Sequence, residues 1–596
     1  MLFSSFIVLS LFGGVGLCKL YEDVADLPKL HYDFVVVGGG TAGNVVANRL
    51  TEDANITVLV LEAGLSNTGV AASEVPFLLS ELIPDTTYSW NYTTVPMPGL
   101  DGRSVPYYRA YFLGGCSAHN GMVYTRGAAG DFNRYANLTG DEGWSWDQIL
   151  PYFLKSEKWS PPADHHDTDG QYNSTVHGTD GPISVSLNGF AWSTFEDKVI
   201  QTTKELPDDF PFNLDMNSGQ PLGISWLQST IGNGERSSSA TGYLAPKFIK
   251  RSNLDVLLHA QVSRLVNETK ADGKPAFKGV EFKYGDSLFV VKASKEIILS
   301  AGPVGTPQIL MNSGIGAHSA LKALGIPTVL DLPSVGQNAS DHPSFYAMQW
   351  EVNSDDTFAS ITGNATRYAE GLAQWNASAK HTGPFVDSGV GTHIGYLRLP
   401  ADSPAFVAHA DPSAGPDAPH LEFTFLPGGY GTAGQNLMTI DIAVVSPVSR
   451  GSVVINSSDP FAPPLIDPGY LSSDFDVFAL LDGISMAQRF VSAPAWDGYI
   501  GAMTTNLTGL NDVELAAFIR ETTGSSYHLV GTAGMSASDA SYGVVDPDLQ
   551  VKGMSGLSVI DASVVPIVPA AHTAAVTYAF AERGADLVKQ RWSLST

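Results

Sequence analysis

At 596 residues the chain is long enough for several domains and a large buried core. Its 44% apolar and 16% charged content, without a long low-complexity segment, excludes a disordered or fibrous protein. A formal net charge of −27 argues against nucleic acid and anionic membrane surfaces as partners, so an anionic cofactor would have to be held by helix ends and backbone amides rather than by a basic patch.

The chain begins with an apolar run, Met1 to Cys18, that contains Phe6-Ile-Val-Leu and ends in small residues. This reads as a secretory signal peptide over residues 1–18, although it lacks the usual basic n-region; a membrane anchor would need about 20 apolar residues. Ten Asn-X-Ser/Thr sequons (Asn55, Asn91, Asn137, Asn173, Asn267, Asn338, Asn364, Asn376, Asn456 and Asn506) are spread along the chain, in keeping with a secreted glycoprotein. Once Cys18 is removed only Cys116 remains, so no internal disulfide is available and stability rests on core size.

The most informative stretch is Phe34 to Gly64. Phe34-Val-Val-Val is a short apolar run of the kind found in a parallel strand buried on both faces. Gly38, Gly40 and Gly43 follow as a Gly-x-Gly-x-x-Gly turn around Thr41 and Ala42: the first glycine permits the turn, the second a close approach to a pyrophosphate, the third helix-on-strand packing. A helix to Leu50 would offer its free N–H groups to the phosphates, and a second strand ends at Glu62-Ala63, about 20 residues on, where a carboxylate can accept from a ribose diol. The acid favours an unphosphorylated ribose, hence FAD or NAD rather than NADP.

Three later runs carry a resemblance. Leu113-Gly-Gly115-Cys-Ser-Ala-His119-Asn120-Gly121-Met-Val-Tyr-Thr-Arg126 lacks the strand-then-helix spacing of a second phosphate site and packs small residues together. It resembles the flavin-contacting segment of the glucose-methanol-choline (GMC) oxidoreductases. Ala301-Gly-Pro303 through Gly316 is similar to that family's second signature, and Val559-Ile-Asp561-Ala562 through Pro566, with Pro569-Ala-Ala-His572, to its closing flavin segment. The likeness runs from about Asp33 to Leu587.

This resemblance implies an α/β (overall α+β) architecture, with a Rossmann-like FAD domain assembled from discontinuous segments and a substrate domain built on an antiparallel sheet. Leu254-Asp-Val-Leu-Leu and Glu296 to Ser300 read as buried strands returning to the FAD sheet. The implied division is 31–345 for the N-terminal FAD region, 346–448 for the substrate-facing portion, and 449–587 for the C-terminal region with the catalytic histidines. No internal repeat is present, and no heptad pattern suggests an obligate partner, so a monomer is expected.

By the same resemblance Gly115, His119, Asn120, Gly121, Val262, Ala301, Asp561, Ala562 and His572 contact FAD, with His119 bonded covalently to the flavin. His528, in Ser-Tyr527-His528-Leu-Val-Gly-Thr, would be the general base and His572 its partner at the substrate oxygen; an imidazole suits that task because it titrates near neutrality. Other groups read as structural: Cys116 as a packing residue, His342 in Asp341-His342-Pro343 as a core histidine, Trp144 and Trp146 as core or rim, and His165-His166-Asp167 with Asp169 as a solvated turn rather than a metal site. Within the family the chain resembles the secreted fungal pyranose dehydrogenases, which oxidise sugars and reduce quinones. Aryl-alcohol oxidases, which reduce oxygen to hydrogen peroxide, are the alternative, favoured by Tyr527 beside His528, whereas Gly121, where those oxidases carry an aromatic residue, implies a wider entrance. Hydroxynitrile lyases are a more remote possibility on the same fold.

Overall fold

The structure is a computed structural model that describes residues 20–83, 85–266, 269–271, 273–429, 434–505, 507 and 509–595. The signal-peptide reading over 1–18 and the sequons at Asn267 and Asn506 lie outside the described residues.

In chain order the elements that build the site begin with β1 (Leu20–Tyr21), β2 (His31–Val37), α1 (Gly43–Leu50) and β3 (Val58–Leu61). There follow β4 (Gly223–Trp226), β5 (Leu254–Leu257), β6 (Gln261–Val266), β7 (Gly279–Tyr284), β8 (Ser287–Leu299) and α2 (Gly302–Asn312). The remainder are β9 (Pro343–Phe345), β10 (Gln349–Val352), β11 (His393–Leu397), β12 (Leu421–Leu426), β13 (Leu437–Val444), α3 (Asp474–Val491), β14 (Ile500–Met503), β15 (Gly524–Ser525), β16 (Leu557–Val559) and α4 (Thr573–Trp592).

One eight-stranded sheet runs β1-β5-β3-β2-β8-β7-β6, with β16 also pairing with β8. Its β1, β5, β3, β2, β8 and β16 pairings are parallel, and β7 and β6 add an antiparallel edge. Phe34 to Val37 and all four residues of β3 are buried, as expected of central parallel strands covered on both faces; each such side chain contributes about 1.5–3 kcal/mol. The two strands expected to return to this sheet do so: β5 pairs with β3, and Glu296 to Leu299 of β8 pair with β2. Every residue of α1 is buried, because α4 packs over it from the far end of the chain. Arg49 of α1 binds Glu582 and, at 3.0 Å, Asp586 of α4, so the buried guanidinium has its charge met.

A second eight-stranded sheet, antiparallel throughout, runs β14-β10-β13-β12-β11-β4, with β9 pairing with β13 and β15. Its strands span residues 223 to 525, so it draws on segments before and after 346–448. Along β12, Leu421, Phe423 and Phe425 enter a core shared with Phe475 and Phe490 of α3, while the alternate residues Glu422, Thr424 and Leu426 face a cavity. Asp441 and Ala443 of β13 share that cavity face. Trp144 is fully buried, and Trp146 packs at the edge of the first core. Among the described residues no helix is long and apolar enough to cross a membrane.

Candidate active site

A cavity of about 890 Å³ lies between the sheets, toward the upper end of the roughly 300–1,000 Å³ typical of ligand sites. One end is the first βα unit. Gly38 sits at φ +101°, a conformation L side chains rarely adopt, and a Cβ on Gly43 would run into the Gly38 carbonyl oxygen. Gly40 and Gly115 approach each other closely, since a Cβ on Gly115 would stand 2.7 Å from the Gly40 Cα. These contacts leave backbone amides at the start of α1 facing the cavity beside Thr41 and Ala42, where a pyrophosphate fits.

Glu62 ends β3 beside Ala63. Its carboxylate accepts from the Gly39 and Gly64 N–H groups at 2.9 and 2.8 Å, which aims it at the place of a ribose. Burial raises its pKa against those hydrogen bonds. Val262 of β6 and Ala301, just before α2, line the same end. Asp561 accepts from Gly302 N–H at 2.9 Å and Thr306 Oγ1 at 2.6 Å, tying the closing segment with Ala562 to the start of α2.

The glycine-rich segment crosses the middle of the cavity with Gly115, His119, Asn120 and Gly121 on its wall. His119 is buried with Nε2 lacking a hydrogen-bond partner, and burial, reinforced by Arg236 and Arg109, pushes its pKa down to about 3. It is therefore a neutral imidazole with an uncommitted nitrogen, the state in which it can act as a nucleophile. Arg236 fixes its neighbour, donating to Asn120 Oδ1 at 2.9 Å.

At the far end stand the two histidines, ring centroids 4.5 Å apart. The His528 backbone N–H donates to Asp341 Oδ1 at 2.6 Å, and Asp341 also accepts from the His342 backbone N–H at 2.8 Å, Ser525 Oγ at 3.2 Å, and the Tyr107 and Tyr470 hydroxyls. Tyr527 takes φ +61°, and half-buried Arg109 donates to its carbonyl at 2.8 Å, holding the turn that presents His528. Burial first, then His572, His342 and Arg109, hold His528 well below its ordinary pKa of 6.5, so it waits as a neutral base. His572 is fixed at its backbone N–H, which donates to Thr125 Oγ1 at 2.8 Å, and at its ring through Nε2 to Glu422 Oε1 at 2.9 Å. Burial pushes the Glu422 carboxyl up, but the His572 imidazole and its hydrogen bond outweigh that and leave it below its ordinary value.

All the residues expected at a cofactor or catalytic position reach this cavity wall except Gly43, which acts one layer behind it. Two neighbours of the histidine pair escaped sequence reasoning. Glu422 lies in a polar-apolar alternation that reads equally as a solvent face, and His342, read as structural and fully buried, has its Nδ1 3.0 Å from His528 Nδ1. Of the groups set aside, Cys116 is a free thiol beside the cavity. His166 bonds Asp164 at 2.6 Å in a partly exposed loop, and among the described residues no three His, Cys, Asp or Glu side chains could together hold a metal.

A sheet that cradles a dinucleotide, with paired imidazoles across the cavity from it, defines a flavin-type oxidoreductase, and sequence comparison gives its family. GMC oxidoreductase models match residues 32–344 and 447–581. The chain belongs to the GMC oxidoreductase family, and FAD is the dinucleotide its site fits. It is 43% identical over 585 residues to dehydrogenase eriK of Hericium erinaceus, covering 96% of both chains. It is 42% identical over 595 residues to a pyranose dehydrogenase of Agaricus campestris, again covering 96% of both. Among solved structures, an Aspergillus oryzae formate oxidase studied for FAD modification superposes with a TM-score of 0.85 at 29% identity, covering 94% of this chain and 99% of the other. A fungal aryl-alcohol oxidase superposes at 0.81 and 27% identity, covering 95% and 100%.

Proposed function

We propose that the protein is a secreted, monomeric FAD-dependent dehydrogenase that oxidises a hydroxyl-bearing carbon of a pyranose sugar and passes the electrons to a quinone or similar acceptor. The observation that carries this reading is the pair of imidazoles, His528 and His572, facing one cavity with a dinucleotide cradle. The flavin supplies the two-electron acceptor for the hydride. His528, neutral and buried, takes the hydroxyl proton; His572, anchored by Glu422, directs its ring at the substrate oxygen. His119 is the point of covalent flavin attachment, supported by its neutral state and free Nε2. A sugar is supported by the identity to pyranose dehydrogenases and by the polar side chains Glu422, Thr424, Ser344 and Ser526 around the substrate end.

One observation favours the second reading, an aryl-alcohol oxidase reducing oxygen. Tyr527 and Tyr108 lie 5.4 Å apart between ring centroids on the cavity wall, with Phe77 and Phe358 also lining it, a lining suited to a benzylic ring. Anaerobic mixing decides: glucose-driven bleaching of the flavin is expected, whereas bleaching by a benzylic alcohol alone would replace the sugar reading, and benzoquinone against oxygen then identifies the acceptor. His528→Ala should slow bleaching by about 10²–10⁴-fold. Acid-precipitated protein should stay yellow, and His119→Ala should release its flavin to the supernatant; a colourless parent pellet would overturn the attachment.

A further inference from the structure

His342 is buried directly behind His528, its ring edge-on to it at 89° with centroids 5.1 Å apart, and the two Nδ1 atoms are 3.0 Å apart. At that distance one nitrogen must carry a hydrogen and the other accept it. The far side of His342 offers nothing that competes: its Nε2 is sealed from solvent with no hydrogen-bond partner, so Nδ1 is the nitrogen through which it meets a neighbour. A base that takes a proton on Nε2 must hold its own hydrogen on Nδ1, and that assigns the donor of the pair to His528. His342 Nδ1 is then the acceptor, and His528 Nδ1 the donor. What remains for the cavity is His528 Nε2, without a hydrogen.

We propose that His342 is a positioning residue that locks His528 into its Nδ1–H tautomer, so that Nε2 is always free to take the substrate proton. This rests on the reading of His528 as the base. In the step it serves, the substrate O–H bond breaks, its proton bonds to His528 Nε2, and the carbon's hydride leaves with the C–H electron pair for the flavin. The new imidazolium keeps its Nδ1–H bond to His342. The opposite tautomer would offer the substrate a donor where the reaction needs an acceptor, as a misoriented imidazole does in other general-base sites. The charged or titratable groups acting on the pair are His572 and Arg109 on His528, and Glu422 and His572 on His342. Both histidines are driven below their ordinary pKa by burial first, His342 to about 3, so both rings are neutral with one hydrogen each, and only the hydrogen on His528 Nδ1 lies between them.

The test uses the flavin-loaded full chain. His342→Phe keeps an aromatic ring but removes the acceptor; His342→Asn puts an amide oxygen where Nδ1 stood. Flavin reduction is followed anaerobically with glucose, or with 4-methoxybenzyl alcohol if glucose does not reduce the parent, across pH 5 to 9. His342→Phe is expected to lower the limiting rate by about 10²-fold with KM little changed, and His342→Asn to recover it to within about tenfold of the parent. In 15N-histidine-labelled parent protein, assigned by His528→Asn, the His528 Nε2 resonance should be that of an unprotonated nitrogen. The inference is overturned if His342→Phe is reduced at close to the parent rate with the parent pH profile, if both variants fall equally, or if Nε2 of His528 carries the hydrogen. Should His342→Phe fail to fold, the Asn variant and the parent spectrum still decide. A His528→Ala variant at the parent rate would remove the base reading itself; slow His528→Ala beside fast His342→Phe removes only this inference.

Discussion

The two ends of the cavity recognise their ligands by different means. At the nucleotide end the work is done by main chain: a left-handed glycine, a helix start, and a carboxylate held by two backbone N–H groups. At the substrate end it is done by side chains on antiparallel strands and on the loops either side of β16, fixed by partners from distant parts of the chain, as Glu422 fixes His572. Main-chain recognition ties cofactor binding to the fold, whereas side-chain recognition leaves substrate choice adjustable on an unchanged scaffold.

Substitutions should separate the two ends. The largest effect is expected from Gly43→Ala, whose Cβ would collide with the Gly38 carbonyl oxygen and spread α1 from β2. Purified protein should carry essentially no flavin absorbance; a yellow variant would show that the turn can move, and would break the contrast. Next comes Glu422→Leu, which should leave the absorbance intact but lower the rate of flavin reduction about 10–100-fold by freeing the His572 ring. Loss of flavin in that variant would mean that the ends are not independent.

The smallest effect concerns the segment joining them. Arg126, at the end of the glycine-rich run, binds Glu157, and His177 contacts Glu157 at 2.6 Å and Asp215 at 2.8 Å, all buried. Burial alone would lower His177, but the two carboxylates outweigh it and hold it above its ordinary 6.5. A raised folded-state pKa gives stability that is complete below 6.5 and lost as pH rises through the folded value. The carboxylates, both lowered, lose theirs as pH falls through their own folded-state values. Thermal melts of the parent should therefore decline on the alkaline side, and His177→Asn should melt lower but without that decline.

The same contrast explains what could be read from the chain alone. Gly38, Gly40, Gly43 and Glu62 announce themselves because a backbone-built site demands particular residues at fixed spacing. The paired histidines were legible only through short motifs resembling a family, since nothing in the spacing of His528 and His572 says that their rings meet. Glu422 was invisible: Leu-Glu-Phe-Thr-Phe-Leu alternates as any half-exposed strand does, and only the opposing sheet turns its polar face into a cavity wall. His342, read as structural, is indeed fully buried, but its contact with a histidine 186 residues away could not be seen from the sequence.

The ion pairs from Arg49 to Glu582 and Asp586 have a consequence for how the protein comes into being. The first helix is fastened to the last, and the central sheet gains β16 only at residues 557–559. A ribosome must therefore release nearly the entire polypeptide before the cradle closes, which makes flavin loading a late, post-translational event and makes any C-terminal truncation reaching α4 a way to produce an empty protein.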